Sequence, residues 1–131
     1  MKPLLLLFLL ALPCAGATRY VDSAATGANN GTSWANAWTN LAAVSASAGD
    51  TVYISGGSSG QTRTYSGANW APAGGSSGSP IVYQIGQDSS HNGTAVFDCG
   101  GGTWLTPNPY TVLSGDAGDG SLHFEIGRAH V

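Results

Sequence analysis

Four acids could do chemistry in this chain: Asp88, Asp98, Asp116 and Asp119. Glycoside hydrolysis needs two carboxylates facing each other across a bond, and lyase chemistry needs a base near a cation that offsets a uronate charge. None of the four is tied by spacing to a second group on one strand face, so the sequence assigns no catalytic residue. Asp116-Ala117-Gly118-Asp119-Gly120 places two carboxylates in a Gly-rich loop that could wrap calcium, but the loop lacks further oxygen side chains and reads as a polar turn. His91 and His123 have no Cys, His or Glu at metal-ligand spacing and read as loop histidines. No cofactor or metal is assigned; calcium is left to the full-length protein. Trp34, Trp70 and Trp104 could stack on sugar rings, with buried caps and loop anchors as the plainer alternative. Cys99 reads as a small apolar core residue rather than a reactive thiol.

These residues need a scaffold, and the first segment is not part of it. Met1-Lys2, the apolar run Leu4 to Leu12 and the small residues Ala15-Gly16-Ala17 form a secretory signal, with cleavage expected after Ala17. The run is too short for a membrane span, which takes about 20 residues. Pro13 before Cys14 fits lipidation poorly. Loss of Cys14 leaves Cys99 as the single cysteine, so stability must come from packing rather than from a disulfide. The expected location is secreted, periplasmic or at the cell surface.

A formal charge of −3 and only 8% charged residues argue against a polyanionic partner. Before the segment 125–131, which holds Arg128, only Arg19 and Arg63 follow the signal, each alone, with no basic stripe for nucleic acid. Twenty glycines punctuate the chain, yet recurrent aromatic and β-branched residues and low charge exclude a disordered composition.

The apolar residues form short clusters at Thr51–Ile54, Ile81–Ile85, Thr94–Phe97 and Tyr110–Leu113, each a strand-length run between Gly/Ser-rich turns. Tyr53, Tyr83 and Val112 recur at about thirty-residue intervals, a period suited to a solenoid. An antiparallel sandwich would also give short strands, but no Asn-Gly or Asp-Gly pair joins two of them as a hairpin. One helix is predicted over Asn40–Ala48, capped by Thr39 and ended by Gly49, turning Trp38, Leu41 and Val44 over the open end of the core. Asp50 follows as a turn carboxylate that accepts backbone N–H groups. Asn30-Gly31-Thr32 and Asn92-Gly93-Thr94 match the glycosylation sequon, and a turn explains both.

Tyr20-Val21, Asn30-Gly31-Thr32-Ser33, Trp38-Thr39-Asn40-Leu41 and Gly49-Asp50-Thr51-Val52-Tyr53-Ile54 together resemble the start of right-handed parallel β-helix proteins of the pectate-lyase-like superfamily. Tyr65, Trp70-Ala71-Pro72, Ser79-Pro80-Ile81-Val82-Tyr83 and Val96-Phe97-Asp98 resemble a second turn, and the likeness covers the chain to about Asp98. Ala37, where the family often has Pro, and the loose segment Gly56 to Arg63 mark a divergent member. The resemblance implies an all-β, right-handed parallel β-helix, of which only the first turns are present. It further implies lyase or hydrolase action on polysaccharide, carried by residues of later turns.

The expected organisation is a signal at 1–17, the first β-helix turns at 18–124 and a tail at 125–131. That tail, Glu125 to Val131, is what one reading frame of a sequencing-library adapter encodes; a real final strand is the alternative. The functional expectation is the N-terminal piece of a secreted protein acting on or binding polysaccharide, with no nucleic-acid partner, no membrane span and an open oligomeric state. A non-catalytic adhesive solenoid is the main alternative, and a small two-sheet binding module a third.

Overall fold

The structure, a computed structural model, describes residues 15–67, 70–98, 100 and 107–127. Residues 1–14, most of the segment predicted as a signal, lie outside them, as do Cys99, Trp104 and the last four residues. Seven strands follow in order: β1 (Thr18–Val21), β2 (Thr51–Ile54), β3 (Thr62–Ser66), β4 (Ile81–Ile85), β5 (Thr94–Asp98), β6 (Thr111–Ser114) and β7 (Phe124–Gly127). They form one sheet of order β1-β2-β4-β6 and a second of order β3-β5-β7. Every pairing between them is parallel. The chain therefore winds alternately through the two sheets, β2-β3, β4-β5 and β6-β7 being successive coils of a parallel β-solenoid.

Alternation along the strands explains the core. In β4, Ile81, Tyr83 and Ile85 are buried while Val82 and Gln84 are half-exposed; in β2, Val52 and Ile54 are buried and Tyr53 is not. Stacking aligns Val21, Ile54 and Ile85 in one inner ladder and Val52, Tyr83 and Leu113 in the next. The roughly thirty-residue period is therefore real, but Tyr53, Tyr83 and Val112 are not stacked partners. Tyr53 pairs with Gln84, and Val112 with Val82. A shift of one residue reverses every side chain, and burial of Val52 and Ile54 sets the register that turns Tyr53 outward.

The second sheet contributes an aromatic stack. Tyr65 lies over Phe97 with ring centroids 6.2 Å apart, Trp70 stacks on Phe97 at 5.5 Å and meets Tyr83 edge-on at 5.3 Å. The Tyr65 hydroxyl donates to the Ser55 carbonyl at 2.7 Å, and the Tyr83 hydroxyl to that of Ala73 at 3.1 Å. Burial raises both phenols above the usual tyrosine range; the Asp22 charge adds to the rise at Tyr65, while at Tyr83 the Ala73 hydrogen bond opposes it and the Asp50 charge adds to it. A folded-state pKa raised above the unfolded value of about 10 gives stability that is complete below that pH and is lost as pH climbs toward the folded value. The melting temperature is thus expected to hold to about pH 9 and to fall steeply beyond about pH 10; a melting temperature unchanged across pH 9 to 11 would contradict the burial of these rings.

The predicted helix does not form. A single 3-10 turn, Leu41–Ala43, stands in its place, capped by Asn40 rather than Thr39: the Asn40 side chain accepts the Ala43 N–H at 2.9 Å, and Val44 is already extended at ψ 123°. Downstream, Ser47 donates its N–H to Asp50 Oδ2 at 3.0 Å and accepts that of Asp50, a local turn that competes with helix continuation. The capping task is nonetheless performed. Trp38 forms a parallel bridge to Val21 on the free edge of β1 and is buried with Leu41, while Val44 packs against the core. Gly31, at φ +71°, lies so close under the Trp38 ring that a Cβ there would come within 2.4 Å of it.

On β6, Val112 and Leu113 are exposed, as is neighbouring Tyr110. Glu125 to Gly127, within the segment set apart as a tail, lie in β7 and pair with β5. Among the described residues, no helix is long and apolar enough to cross a membrane.

Candidate functional site

The loop after β1, the loop between β4 and β5, and β3 converge on the outer surface near the capped end. Asp22 leaves the end of β1, Arg63 comes from β3, and Asp88 and His91 come from the turn after β4. Asp88 is the organiser. Its Oδ1 lies 2.7 Å from His91 Nδ1 and accepts the Ser90 N–H at 3.0 Å, while its Oδ2 accepts the Trp34 indole N–H at 3.1 Å. The Trp34 and His91 rings stack at 3.8 Å, with an interplanar angle of 7°. Beyond them, His91 Nε2 lies 4.0 Å from Asp22 Oδ2, and Arg63 Nε lies 3.6 Å from Asp22 Oδ1. These separations are ion-pair rather than hydrogen-bond distances.

Desolvation works to raise the Asp88 carboxyl. The His91 and Ser90 hydrogen bonds, the His91 charge and the Trp34 indole outweigh it, holding the group below the ordinary carboxylate value. A lowered folded pKa gives stability that is present above the unfolded value of about 3.9 and lost as pH falls through the folded one. Asp88 is half exposed, so solvent screening keeps that contribution small.

Two concavities flank Trp34. One, of about 460 Å³, is lined by Asp22, Thr26, Asn36, Arg63, His91 and Trp34 among others. The other, of about 310 Å³, is lined by Tyr20, Tyr53, Trp34, Gln87 and Asp88. Tyr20 and Tyr53 are register partners on the outer face of β1 and β2, with ring centroids 6.2 Å apart. Trp34 walls the shelf and meets Tyr20 edge-on at 4.8 Å. The outer ladder continues from Tyr53 to Gln84 and Ser114, so the aromatic shelf occupies only the first two rungs before the surface turns polar. This arrangement offers half-buried ring faces beside amide and carboxylate hydrogen-bonding groups. Asp22 pairs with Arg63, and both Asp22 and Asp88 lie beside His91, so each carboxylate has a polar partner within the cluster.

The other candidates go elsewhere. Trp34 is a loop anchor whose face is covered by His91, and Trp70 is a core residue. Asp98 Oδ1 accepts the Gly100 N–H at 3.0 Å. Asp116 Oδ1 accepts the N–H groups of Gly118 and Gly120 at 2.7 and 3.2 Å. Asp119 Oδ1 accepts that of Ser121 at 2.8 Å, and its carboxylate meets His123 Nε2 at 3.1 Å. The Ser121 and His123 hydrogen bonds, against a small opposing desolvation, lower the Asp119 carboxyl below its ordinary value. The Asp116–Gly120 loop thus closes on its own amides as a polar turn. Among the described residues, no group of three or more His, Cys, Asp or Glu side chains is placed to hold a metal ion. Asp50 is the turn carboxylate the sequence predicts, accepting N–H groups from Ala17 at 2.7 Å and Ser47 at 3.0 Å.

Sequence reasoning considered Asp88, His91 and Trp34 separately and did not single out Asp22, Tyr20 or Tyr53 as site residues. Linear spacing hides a cluster whose Trp34 and Asp88 are 54 positions apart. The usable signal was the alternation in β2, where buried Val52 and Ile54 imply an outward Tyr53. No protein-family model, curated protein or solved structure matches the chain.

Proposed function

We propose that this chain is the N-terminal part of an exported, pectate-lyase-like β-helix protein that binds polysaccharide through the Tyr20–Tyr53 shelf. The observation that carries the proposal is the pair of outward tyrosine rings 6.2 Å apart in a groove with Gln87 and Asp88. Flat rings take the apolar face of a sugar, and the flanking amide and carboxylate suit its hydroxyls. The low charge and net −3 favour a neutral polysaccharide over a polyuronate. Export rests on the leader-like residues before Thr18. In this proposal the exposed Leu113 of the inner ladder is covered by further coils, and any lyase or hydrolase groups belong to those coils.

A non-catalytic adhesive solenoid is the second reading, favoured by the engagement of Asp22 with Arg63 and of Asp88 with His91, Ser90 and Trp34. Titration calorimetry with soluble neutral and acidic polysaccharides tests the shelf. The double variant Tyr20→Ala/Tyr53→Ala is expected to weaken binding about tenfold or more, each lost stacking contact being worth about 1 kcal/mol. Unchanged affinity would place binding elsewhere, and a wild-type chain that takes up no polysaccharide would end the proposal.

A further inference from the structure

Ala17 is built into the first rung. Its N–H donates to Asp50 Oδ1 at 2.7 Å, and its carbonyl accepts the Thr51 N–H at 3.0 Å, the bond that opens the β1–β2 ladder. Asp50 is buried, its other oxygen accepts the Ser47 N–H, and Arg19 Nε lies 3.6 Å away. Cleavage after Ala17, the site its A-x-A pattern suggests, would remove both groups. One oxygen of a buried carboxylate would then lose its donor, and the Thr51 N–H its acceptor, and unpaired polar groups of this kind are costly.

Cleavage one bond earlier keeps both. Gly16 and Cys14 then occupy the two positions that export processing wants small, as Ala17 and Ala15 do in the other register. We propose that the export peptidase cuts the Gly16–Ala17 bond, and that the new α-ammonium of Ala17 pairs with the Asp50 carboxylate to lock the first rung. In that hydrolysis the peptide C–N bond breaks and one water is consumed, leaving a carboxylate on Gly16 and an ammonium on Ala17. The amide donor at 2.7 Å becomes a cationic one at the same place, a stronger charge-assisted bond. Processing would thereby complete the fold rather than trim it. The inference rests on the export reading above.

The test is to produce the full chain in an exporting bacterial host and to read the first residue of the exported product by intact mass and N-terminal sequencing. Ala17 as first residue supports the proposal. Gly16 or Thr18 as first residue overturns it while leaving export intact, whereas an uncut chain retained in the cell removes the export reading itself. A second measurement addresses the ion pair. Lys2 is the one lysine of the sequence, so in the processed protein an amine reagent acetylates only the α-amino group. Acetylation is expected to lower the melting temperature by about 5 °C; an unchanged melting temperature would show that no such pair exists.

Discussion

Tyr83→Ala is expected to lower the unfolding free energy by about 3 to 5 kcal/mol, the usual cost of deleting a large buried ring. Tyr83 is fully buried, meets Trp70 edge-on and donates to the Ala73 carbonyl, so the substitution leaves a cavity and removes the shorter of two hydrogen bonds to that carbonyl, Thr111 Oγ1 donating the other at 3.4 Å. Domains of this size have about 5 to 15 kcal/mol in total. The variant should therefore melt far below wild type or fail to fold cooperatively in urea, as followed by circular dichroism. Tyr53→Ala is the matched control. Tyr53 stands in a similar short apolar run but faces outward, and its loss should cost about 1 kcal/mol or less. Similar costs for the two, or the reverse order, would mean that the inner ladder is misassigned.

Gly93→Val should be at least as damaging, for a backbone reason. A Cβ at Gly93 would lie 2.5 Å from the carbonyl oxygens of Gln61 and Gly56 and 2.7 Å from that of Ser58. These are main-chain atoms of the neighbouring coil, and the Gly93 N–H donates to the Gly57 carbonyl at 2.8 Å, so relief requires two coils to separate. A cost above about 4 kcal/mol is expected, in the range reserved for disruption of a specific structural device. Gly60→Ala controls for ordinary glycine effects. Gly60 sits at φ +79° with no other group within 4 Å of the place a methyl would take, so only left-handed strain of about 1 kcal/mol applies. Thermal melts of the three proteins decide the matter, and a Gly93→Val melt within a few degrees of wild type would contradict the close contact between coils. The same contact gives the Asn92-Gly93-Thr94 sequence a structural reason that involves no modification.

Much of the architecture was legible because its signals are local. Thr51–Ile54, Ile81–Ile85 and Thr94–Asp98 are dense in β-branched and aromatic residues, and each is a strand. β3 was missed because Thr62–Ser66 buries only Tyr65 and otherwise has the composition of its flanking loop. The helix failed for the opposite reason. Trp38, Leu41 and Val44 carry a helical spacing, yet they reach the core from a bridge, a 3-10 turn and an extended segment. Apolar spacing reported what is buried but not by which backbone, since the Asn40 cap and the Asp50 turn set the path. The candidate site was least visible. Asp22, Arg63 and the Asp88–His91 turn come from three different coils, and only stacking places them together.

The central claim is a parallel stack in which Val52, Tyr83 and Leu113 form one inner ladder. Through-hydrogen-bond couplings in the isotope-labelled protein test it most directly. The expected result is a coupling from the Val82 amide to the Asp50 carbonyl and another from the Gly86 amide to the Ile54 carbonyl, hydrogen bonds of 3.0 and 2.9 Å here. Couplings displaced by one residue, or an antiparallel pattern between these segments, would contradict the stack and the outward tyrosine shelf with it.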